Sequence, residues 1–259
     1  MMQQSFYQGS FQVSGLCGDQ ILGARENQQD SFSILTGDDS LLLVLADGMG
    51  GYTGGELASR AAVEGFSKAF KREFPTPRER MKSAVDAANE QVCAVRKKGG
   101  KDEEMGTTLV AAWIGKDGLR WASVGDSLLL LIRKEKILLL NELHQYSSEL
   151  DQMADEGIIS REEALNHPSR NFLTSALMGE EIPLVDLRED CFPLVPGDRL
   201  LVASDGVESY LQSLEPARIL YLSMLPAAEL VCSILGGISR ENSADQDNAT
   251  LICAEIAGM

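Results

Sequence analysis

Two kinds of hydrophobic pattern alternate along the chain and predict its secondary structure. Short runs of apolar residues, such as 41–46 and 128–132, are typical of buried strands, whereas apolar residues at helical spacing predict amphipathic helices. The predicted strands cover residues 31–35, 41–46, 107–114, 119–124, 128–133, 136–140, 199–204 and 249–256. The predicted helices cover residues 57–70, 76 to near 99, 147–165 and parts of 207–234.

Two helix starts carry a stronger signal than spacing alone. Thr76 is followed by Pro77 and Glu79, and Ser160 is followed by Glu163. In such a capping box, the hydroxyl accepts a hydrogen bond from the third helical N–H, and the glutamate accepts one from the N–H of the capping residue. We therefore expect a helix to begin at each position.

The order of the elements favours an α+β fold. Four predicted strands follow one another between residues 107 and 140 with short turns between them, which is typical of antiparallel sheet. The sequence has no regular strand–helix–strand alternation, no internal repeat and no clear linker. We therefore predict a single domain that spans residues 1–259.

Composition and charge exclude several classes of protein. Among 259 residues, 39 are acidic and 23 are basic, which gives a net charge of −16 and argues against nucleic acid as a partner. No apolar run is long enough to span a bilayer, and the first basic residue is Arg25, so neither membrane insertion nor a secretory signal is expected. The simplest expectation is a cytoplasmic protein.

Cysteine and histidine usage restricts the metal chemistry. The five cysteines form no CxxC motif and are odd in number, so we expect buried, unpaired thiols rather than a disulfide framework or a zinc site. Only His144 and His167 are present, which excludes a histidine-rich metal site. A metal site would therefore have to use oxygen ligands.

Several aspartates stand at the ends of predicted strands. Asp47 and Asp205 each follow an apolar run and precede a glycine, Asp126 follows another strand, and Asp30 and Asp247 precede strands. A single Asp-Gly pair is typical of a tight turn. Five glycines within residues 48–55 exceed what a turn needs and favour close approach of the backbone to a ligand or ion. These carboxylates could converge on one edge of a sheet pair.

Arg25 lies five residues before Asp30 and adds a cation to this acidic set. On its own, an arginine near carboxylates is most simply a structural ion pair. Beside a pair of metal ions, its planar guanidinium would suit a phosphate ester, which it can bind through two hydrogen bonds.

The motifs, taken in order, resemble the metal-dependent Ser/Thr protein phosphatases of the protein phosphatase 2C type, especially the bacterial single-domain members. The matching segments are residues 25–31, 46–51 with 55–56, 105–108, 125–127, 167–171 with 173–177, 204–206 and 247–248. The resemblance implies a four-layer sandwich of two antiparallel sheets between helical layers. It also implies a flap at about residues 145–170 that borders the cleft.

The same resemblance implies a metal site and a substrate. Asp47 would bridge two Mn²⁺ or Mg²⁺ ions, and their ligand sets would be completed by Asp30, the Gly48 carbonyl, Asp205 and Asp247. Arg25 would bind phosphate, and Asp126 would contribute to a weak third ion. The implied partners are phosphorylated proteins, including a Ser/Thr kinase or its substrates, and the implied reaction is hydrolysis of phosphoserine and phosphothreonine.

Three positions depart from the family pattern. Tyr52 stands where bacterial relatives usually have a histidine, and Ser209 stands where many have an aspartate for the third metal. His144 resembles a family histidine, but Leu143 replaces the acid before it, so we expect a structural role.

Two other functions remain open. A pseudophosphatase that binds phosphoproteins without turnover would fit the departures at Tyr52 and Ser209. A structural calcium-binding protein fits poorly, because the sequence lacks the spacing of an EF-hand loop.

Overall fold

The computed structural model describes residues 12–37, 39–51, 53–98 and 105–258. The strands are β1 (Gln12–Ile21), β2 (Asp30–Gly37), β3 (Ser40–Gly50), β4 (Met105–Thr107), β5 (Leu109–Gly115), β6 (Gly118–Val124), β7 (Leu128–Arg133), β8 (Lys136–Leu139), β9 (Asp186–Phe192), β10 (Arg199–Ala203) and β11 (Ala249–Gly258). The helices are α1 (Gly54–Phe70), α2 (Pro77–Lys98), α3 (Tyr146–Asp155), α4 (Arg161–Leu165), α5 (Glu208–Gln212), α6 (Pro216–Ser223) and α7 (Ala227–Glu241).

These strands form two antiparallel sheets. One sheet has the order β1-β11-β10-β7-β8, and the other has the order β2-β3-β5-β6-β9, with β4 paired to β3. Helices α1 and α2 cover the second sheet, and helices α5 to α7 cover the first. The α+β class and the four-layer sandwich are thereby confirmed.

Three layers of apolar side chains hold the sandwich together. Leu43 and Val110 pack against Leu131 between the two sheets, Val44 packs under Phe66 of α1, and other apolar residues lie between the first sheet and α7. A strand covered on both sides must be apolar at every position rather than at alternate ones. This explains the continuous apolar run at 41–46.

Two strands, β1 and β9, were not predicted from the pattern. In β1, glycines stand at positions 15 and 18, where other strands would have apolar side chains. A Cβ on Gly15 would lie 2.7 Å from the Glu255 carboxylate, and a Cβ on Gly18 would lie 2.7 Å from the Phe32 ring. Strand β9 lies at the edge of its sheet, and its middle residues are exposed. Neither strand therefore shows the hydrophobic alternation that sequence analysis relies on.

Other boundaries differ from the predictions in smaller ways. The strand predicted at 107–114 is divided into β4 and β5, because β3 continues past Asp47 and pairs with both. The helix predicted at 147–165 is two helices, α3 and α4. The end of α2 near residue 99 falls outside the described residues.

Both predicted capping boxes are present. Thr76 and Glu79 exchange hydrogen bonds at 3.2 Å, and Ser160 and Glu163 do so at 3.1 and 2.8 Å.

The expectation of buried thiols is correct for Cys17 and Cys253 but wrong for Cys232, which is exposed on α7. Within the described ranges, no helix combines the length and the apolar character needed to cross a bilayer.

Candidate metal centre

A cavity of about 330 Å³ lies between strand ends from both sheets. Its wall includes Arg25, Asp47, Gly48, Asp126, Asp205 and Asp247. Six of the seven predicted site residues therefore surround one space. The seventh, Asp30, lies directly opposite Asp47 in the register of β2 and β3.

Asp30 is buried and held in place by two hydroxyl groups. Its Oδ2 accepts hydrogen bonds from Ser204 Oγ at 2.8 Å and from Thr250 Oγ1 at 2.6 Å, and the Thr250 N–H donates to Ser204 Oγ at 2.9 Å. Asp30 Oδ1 is equally buried but has no hydrogen-bond partner. Two hydroxyls therefore hold one carboxylate oxygen, and the other is left for a cation or for a proton shared with the neighbouring Asp47 carboxylate.

Asp47 is fixed through its backbone. Its N–H donates to Thr108 Oγ1 at 3.0 Å, and its carbonyl accepts from the Thr108 N–H at 2.9 Å and from Thr107 Oγ1 at 2.8 Å. The sequence analysis places Asp47 just beyond the end of a strand, whereas in the structure it lies within β3. These bonds hold the peptide while its carboxylate lines the cavity.

The carboxylates repel one another electrostatically. Burial, followed by the charges of Asp30 and Asp205, holds the pKa of Asp47 well above its usual range. Burial and the neighbouring carboxylates of Asp126 and Asp247 raise the pKa of Asp205 to about 6. Asp205 Oδ1 also has no hydrogen-bond partner. Binding of a proton or of a cation at the cluster is therefore favoured.

The glycine of each Asp-Gly pair is required by close backbone packing. A Cβ on Gly48 would lie 2.0 Å from the Gly55 carbonyl oxygen, and a Cβ on Gly206 would lie 2.0 Å from the Asn248 carbonyl oxygen. Gly51 has no atom within 4 Å of its Cβ position. The glycine-rich segment is predicted to approach a ligand; Gly48 packs against α1 and, like Gly50, also lines the cavity.

Asn248 positions the loop that carries Arg25. Its Oδ1 accepts from the Gln29 N–H at 2.8 Å, and its Nδ2 donates to the carbonyls of Leu22 at 2.8 Å and Asn27 at 3.1 Å. Arg25 Nη2 reaches Asp247 Oδ2 at 2.7 Å, and about half of each side chain is exposed. An exposed ion pair of this kind contributes little to stability and can be exchanged for other partners.

Asp126 lies on the opposite side of the cavity. Its Oδ2 accepts from Gln145 Nε2 at 2.8 Å, and burial raises its pKa despite that bond. Ser209 is exposed, whereas the neighbouring Glu208 is half-buried, and its pKa is raised by burial and by the charge of Asp126. The sequence analysis drew attention to Ser209 and missed Glu208, because spacing alone does not show which residue of a short helix is buried near Asp126.

His144 supports the loop that precedes Asp126. The backbone N–H of His144 donates to the Gly125 carbonyl at 3.0 Å. The ring Nδ1 of His144 accepts a hydrogen bond from the Gly125 backbone N–H at 3.1 Å. Burial lowers the pKa of His144, which favours the neutral form that this bond needs. The geometry agrees with the structural role expected for it.

The predicted flap, at about residues 145–170, ends just before two residues that line the cavity. Asn171 and Leu173 line the cavity, and His167 packs edge-on against Tyr146 of α3 with 5.6 Å between ring centres. Tyr52, a departure from the family pattern, lies outside the described residues.

The donors present fit a hard divalent cation. Carboxylate and carbonyl oxygens are the ligands that Mg²⁺ and Mn²⁺ prefer. The buried Oδ1 atoms of Asp30 and Asp205, which have no hydrogen-bond partner, could bind such an ion. In the described part of the chain, no group of three or more acidic, histidine or cysteine side chains already stands as a metal-binding cluster. Arg25 and Gln145 occupy oxygens of Asp247 and Asp126, so ion binding requires these side chains to reorient.

Comparisons with known proteins agree with this geometry. The family model of protein phosphatase 2C matches residues 17–237. The serine/threonine phosphatase stp of Listeria welshimeri is 31% identical over 243 residues, which cover 89% of this chain and 91% of that protein. The crystal structure of the Mycobacterium tuberculosis serine/threonine phosphatase PstP/Ppp has a TM-score of 0.75 and 28% identity, and the match covers 93% of this chain and 98% of the other. A structure of the PstP catalytic domain in complex with two manganese ions has a TM-score of 0.71 and 27% identity, with 93% and 97% coverage.

The packing of Gly48 leads to a first prediction. Gly48→Ala places a methyl group against the Gly55 carbonyl and should lower the free energy of unfolding by about 3 kcal/mol. Gly51→Ala meets open space and should change it by less than about 0.5 kcal/mol. Urea unfolding monitored by circular dichroism measures both variants. Equal free energies of unfolding for the two variants would contradict the prediction, because they would mean that α1 shifts to accommodate the methyl group at no energetic cost.

The raised pKa of Asp205 leads to a second prediction. Because the folded state holds this proton up to about pH 6 and the unfolded state releases it near 3.8, the contribution of Asp205 to stability is present at low pH and is lost as the pH rises through this window. In metal-free protein, the stability of Asp205→Asn relative to the parent should therefore rise by about 2–3 kcal/mol between pH 4 and pH 7.5. Urea unfolding in a chelator measures this gain, with the exposed Asp245→Asn as control. A difference that does not vary with pH would contradict the prediction.

Proposed function

The chain belongs to the protein phosphatase 2C family, and on that premise we propose that it removes phosphate from phosphoserine and phosphothreonine in proteins with the help of two Mn²⁺ or Mg²⁺ ions. The observation that carries this proposal is the cavity in which Arg25 stands among buried carboxylates with unpartnered oxygens. A protein of this kind needs no cysteine nucleophile.

The proposed ligands come from both sheets. Asp47 would lie between the two ions, and Asp30, the Gly48 carbonyl, Asp205 and Asp247 would complete their ligand sets. When bound, such a pair of ions supplies a strong nucleophile from water at neutral pH and neutralises charge on the phosphoryl group. The backbone bonds that hold Asp47 and the hydroxyls that hold Asp30 would fix the ligands before substrate arrives.

Arg25 would exchange one partner for another. In the structure it binds Asp247 through a single contact of 2.7 Å at an exposed position. Once a cation takes the Asp247 carboxylate, the guanidinium is left with its donors directed at the cavity. A phosphate group accepts two parallel hydrogen bonds from such a group, so Arg25 would orient the ester.

A third ion would bind weakly. Asp126 is its proposed ligand, but Gln145 already occupies one of the Asp126 oxygens. Ser209 is exposed and offers no carboxylate, whereas the half-buried Glu208 lies within electrostatic influence of Asp126.

The proposed partners are phosphorylated proteins, among them a Ser/Thr kinase or the substrates of that kinase. The Listeria and Mycobacterium relatives are serine/threonine phosphatases, which supports this class of substrate. The net charge of −16 argues against nucleic acid.

The proposal predicts metal-dependent release of phosphate from a phosphothreonine peptide. Asp47→Asn should reduce the rate at least about a hundredfold, because it removes the charge that both ions would share. Asp245→Asn, an exposed change two residues from Asp247, should leave the rate unchanged. Phosphate release with Mn²⁺ and with chelator measures both variants.

Two results would contradict this account. Full activity in chelator would exclude a metal-dependent reaction. Tight binding of the phosphopeptide with no phosphate released in a single-turnover experiment would instead favour a pseudophosphatase.

The hydroxyl pair around Asp30 leads to a separate prediction about ion affinity. Thr250→Val keeps the shape of a fully buried side chain but removes the 2.6 Å bond to Asp30 Oδ2. Because partners that orient a ligand typically change metal affinity 10- to 100-fold, we expect about tenfold weaker Mn²⁺ binding. Thr250→Ser, which keeps the hydroxyl, should restore the affinity. Titration calorimetry measures both variants, and an unchanged affinity in Thr250→Val would remove the positioning role.

A further inference from the structure

A second cavity, of about 600 Å³, runs along the free edge of β2. Asp30 is the one residue of the candidate metal centre that also lines it. The floor of this cavity contains the β2 residues 30–33, and its walls contain Gln20 of β1 and one face of α1. Strand β2 is the last strand of its sheet within the described residues. An edge strand presents unpaired N–H and C=O groups on its outer side, to which another extended chain can pair. We refer to this cavity as the β2 groove.

The helical wall of the β2 groove is basic in an otherwise acidic protein. Arg60, Lys68 and Lys71 line it, and Glu64 is the one acidic residue of α1 in the wall. Arg60 pairs with Glu64 at 3.1 Å, whereas Lys68 and Lys71 have no acidic side chain within ion-pair distance in the described part of the chain. Lys68 also complements the C-terminal end of α1. Because Arg60 is paired with Glu64 and Lys68 complements the helix end, Lys71 is left as a further positive charge in this wall.

Two buried polar atoms in the groove walls lack partners. Gln20 Oε1 and Ser67 Oγ are shielded from solvent and make no hydrogen bond. They come from opposite walls, β1 and α1, and both can accept a hydrogen bond from an N–H group. Buried polar atoms in native proteins are nearly always paired, and a chain in the groove would pair with these two once their side chains turned towards it.

We propose that the β2 groove binds an extended, acidic peptide segment of a partner protein, which adds a strand to the edge of β2. The distance along α1 from Arg60 to Lys71 is about 16 Å at 1.5 Å per residue. About five residues of extended peptide span that distance at 3.3 Å per residue. Every second side chain of such a peptide would face α1, where acidic residues meet the three cations. This binding mode does not depend on the proposed phosphatase activity.

The test uses the full chain and an unphosphorylated peptide, so that the metal centre is not engaged. The probe is a fluorescently labelled eight-residue peptide in which Glu alternates with Thr, and its comparator carries Gln in place of Glu. Fluorescence anisotropy measures binding to the parent, to Lys68→Glu/Lys71→Glu and to Lys97→Glu/Lys98→Glu, a matched change at the end of α2. We expect the Glu peptide to bind better than the Gln peptide and the first variant to bind it about tenfold more weakly. The control variant should match the parent.

Hydrogen exchange distinguishes strand addition from simple charge attraction. Saturating peptide should slow amide exchange within residues 31–33, because a paired edge strand protects its outward N–H groups. Equal binding of the Glu and Gln peptides, or equal loss in both lysine variants, would overturn the proposal. Binding without slower exchange in β2 would also overturn it. If inorganic phosphate displaces the peptide completely at similar concentration, the groove is a small-anion site and the peptide assignment is wrong.

Discussion

The buried carboxylates at the strand ends impose the constraint on which the rest of the structure depends. Asp30, Asp47 and Asp205 are brought together where solvent cannot disperse their charge, and the pKa of each is raised as a result. Such an arrangement opposes folding unless rigid surroundings hold it. The sandwich provides these rigid surroundings, because the three aspartates belong to strands or strand ends whose two faces are both covered by packed apolar side chains. The acidic cluster is therefore maintained by packing energy gained elsewhere in the molecule.

Rigidity at the cluster comes from the backbone as much as from side chains. Gly48 and Gly206 allow two pairs of chain segments to approach more closely than any other residue would permit, one at α1 and one at the start of β11. Asn248 then ties the Arg25 loop to β11 through three hydrogen bonds. The two sheets are thus locked to each other around the cavity, and the site cannot relax the charge repulsion by spreading. A bound proton or a bound cation then relieves it.

The sequence predicts the parts of this structure that depend on local chemistry and misses those that depend on distant partners. Both capping boxes and the strands with continuous apolar runs were predictable, because the signal lies within a few residues. Strand β1 was not predictable, because glycines stand in place of apolar side chains where residues of other strands pack closely against it. The aspartates at strand ends were identifiable as candidates, but the hydroxyls that orient Asp30 come from positions 174 and 220 residues away. Only the folded chain brings Ser204 and Thr250 to that carboxylate.

Strand β2 connects the two cavities described above. Its first residue, Asp30, belongs to the acidic cluster, and its free edge forms the floor of the β2 groove. Ser31 on this strand lies 3.0 Å from Ser59 of α1, and the Ser59 hydroxyl donates to the Gln29 carbonyl at 2.6 Å. The basic helix, the edge strand and the segment leading back to Arg25 are therefore joined by short hydrogen bonds. A strand added along β2 would therefore pair with the strand whose first residue is Asp30.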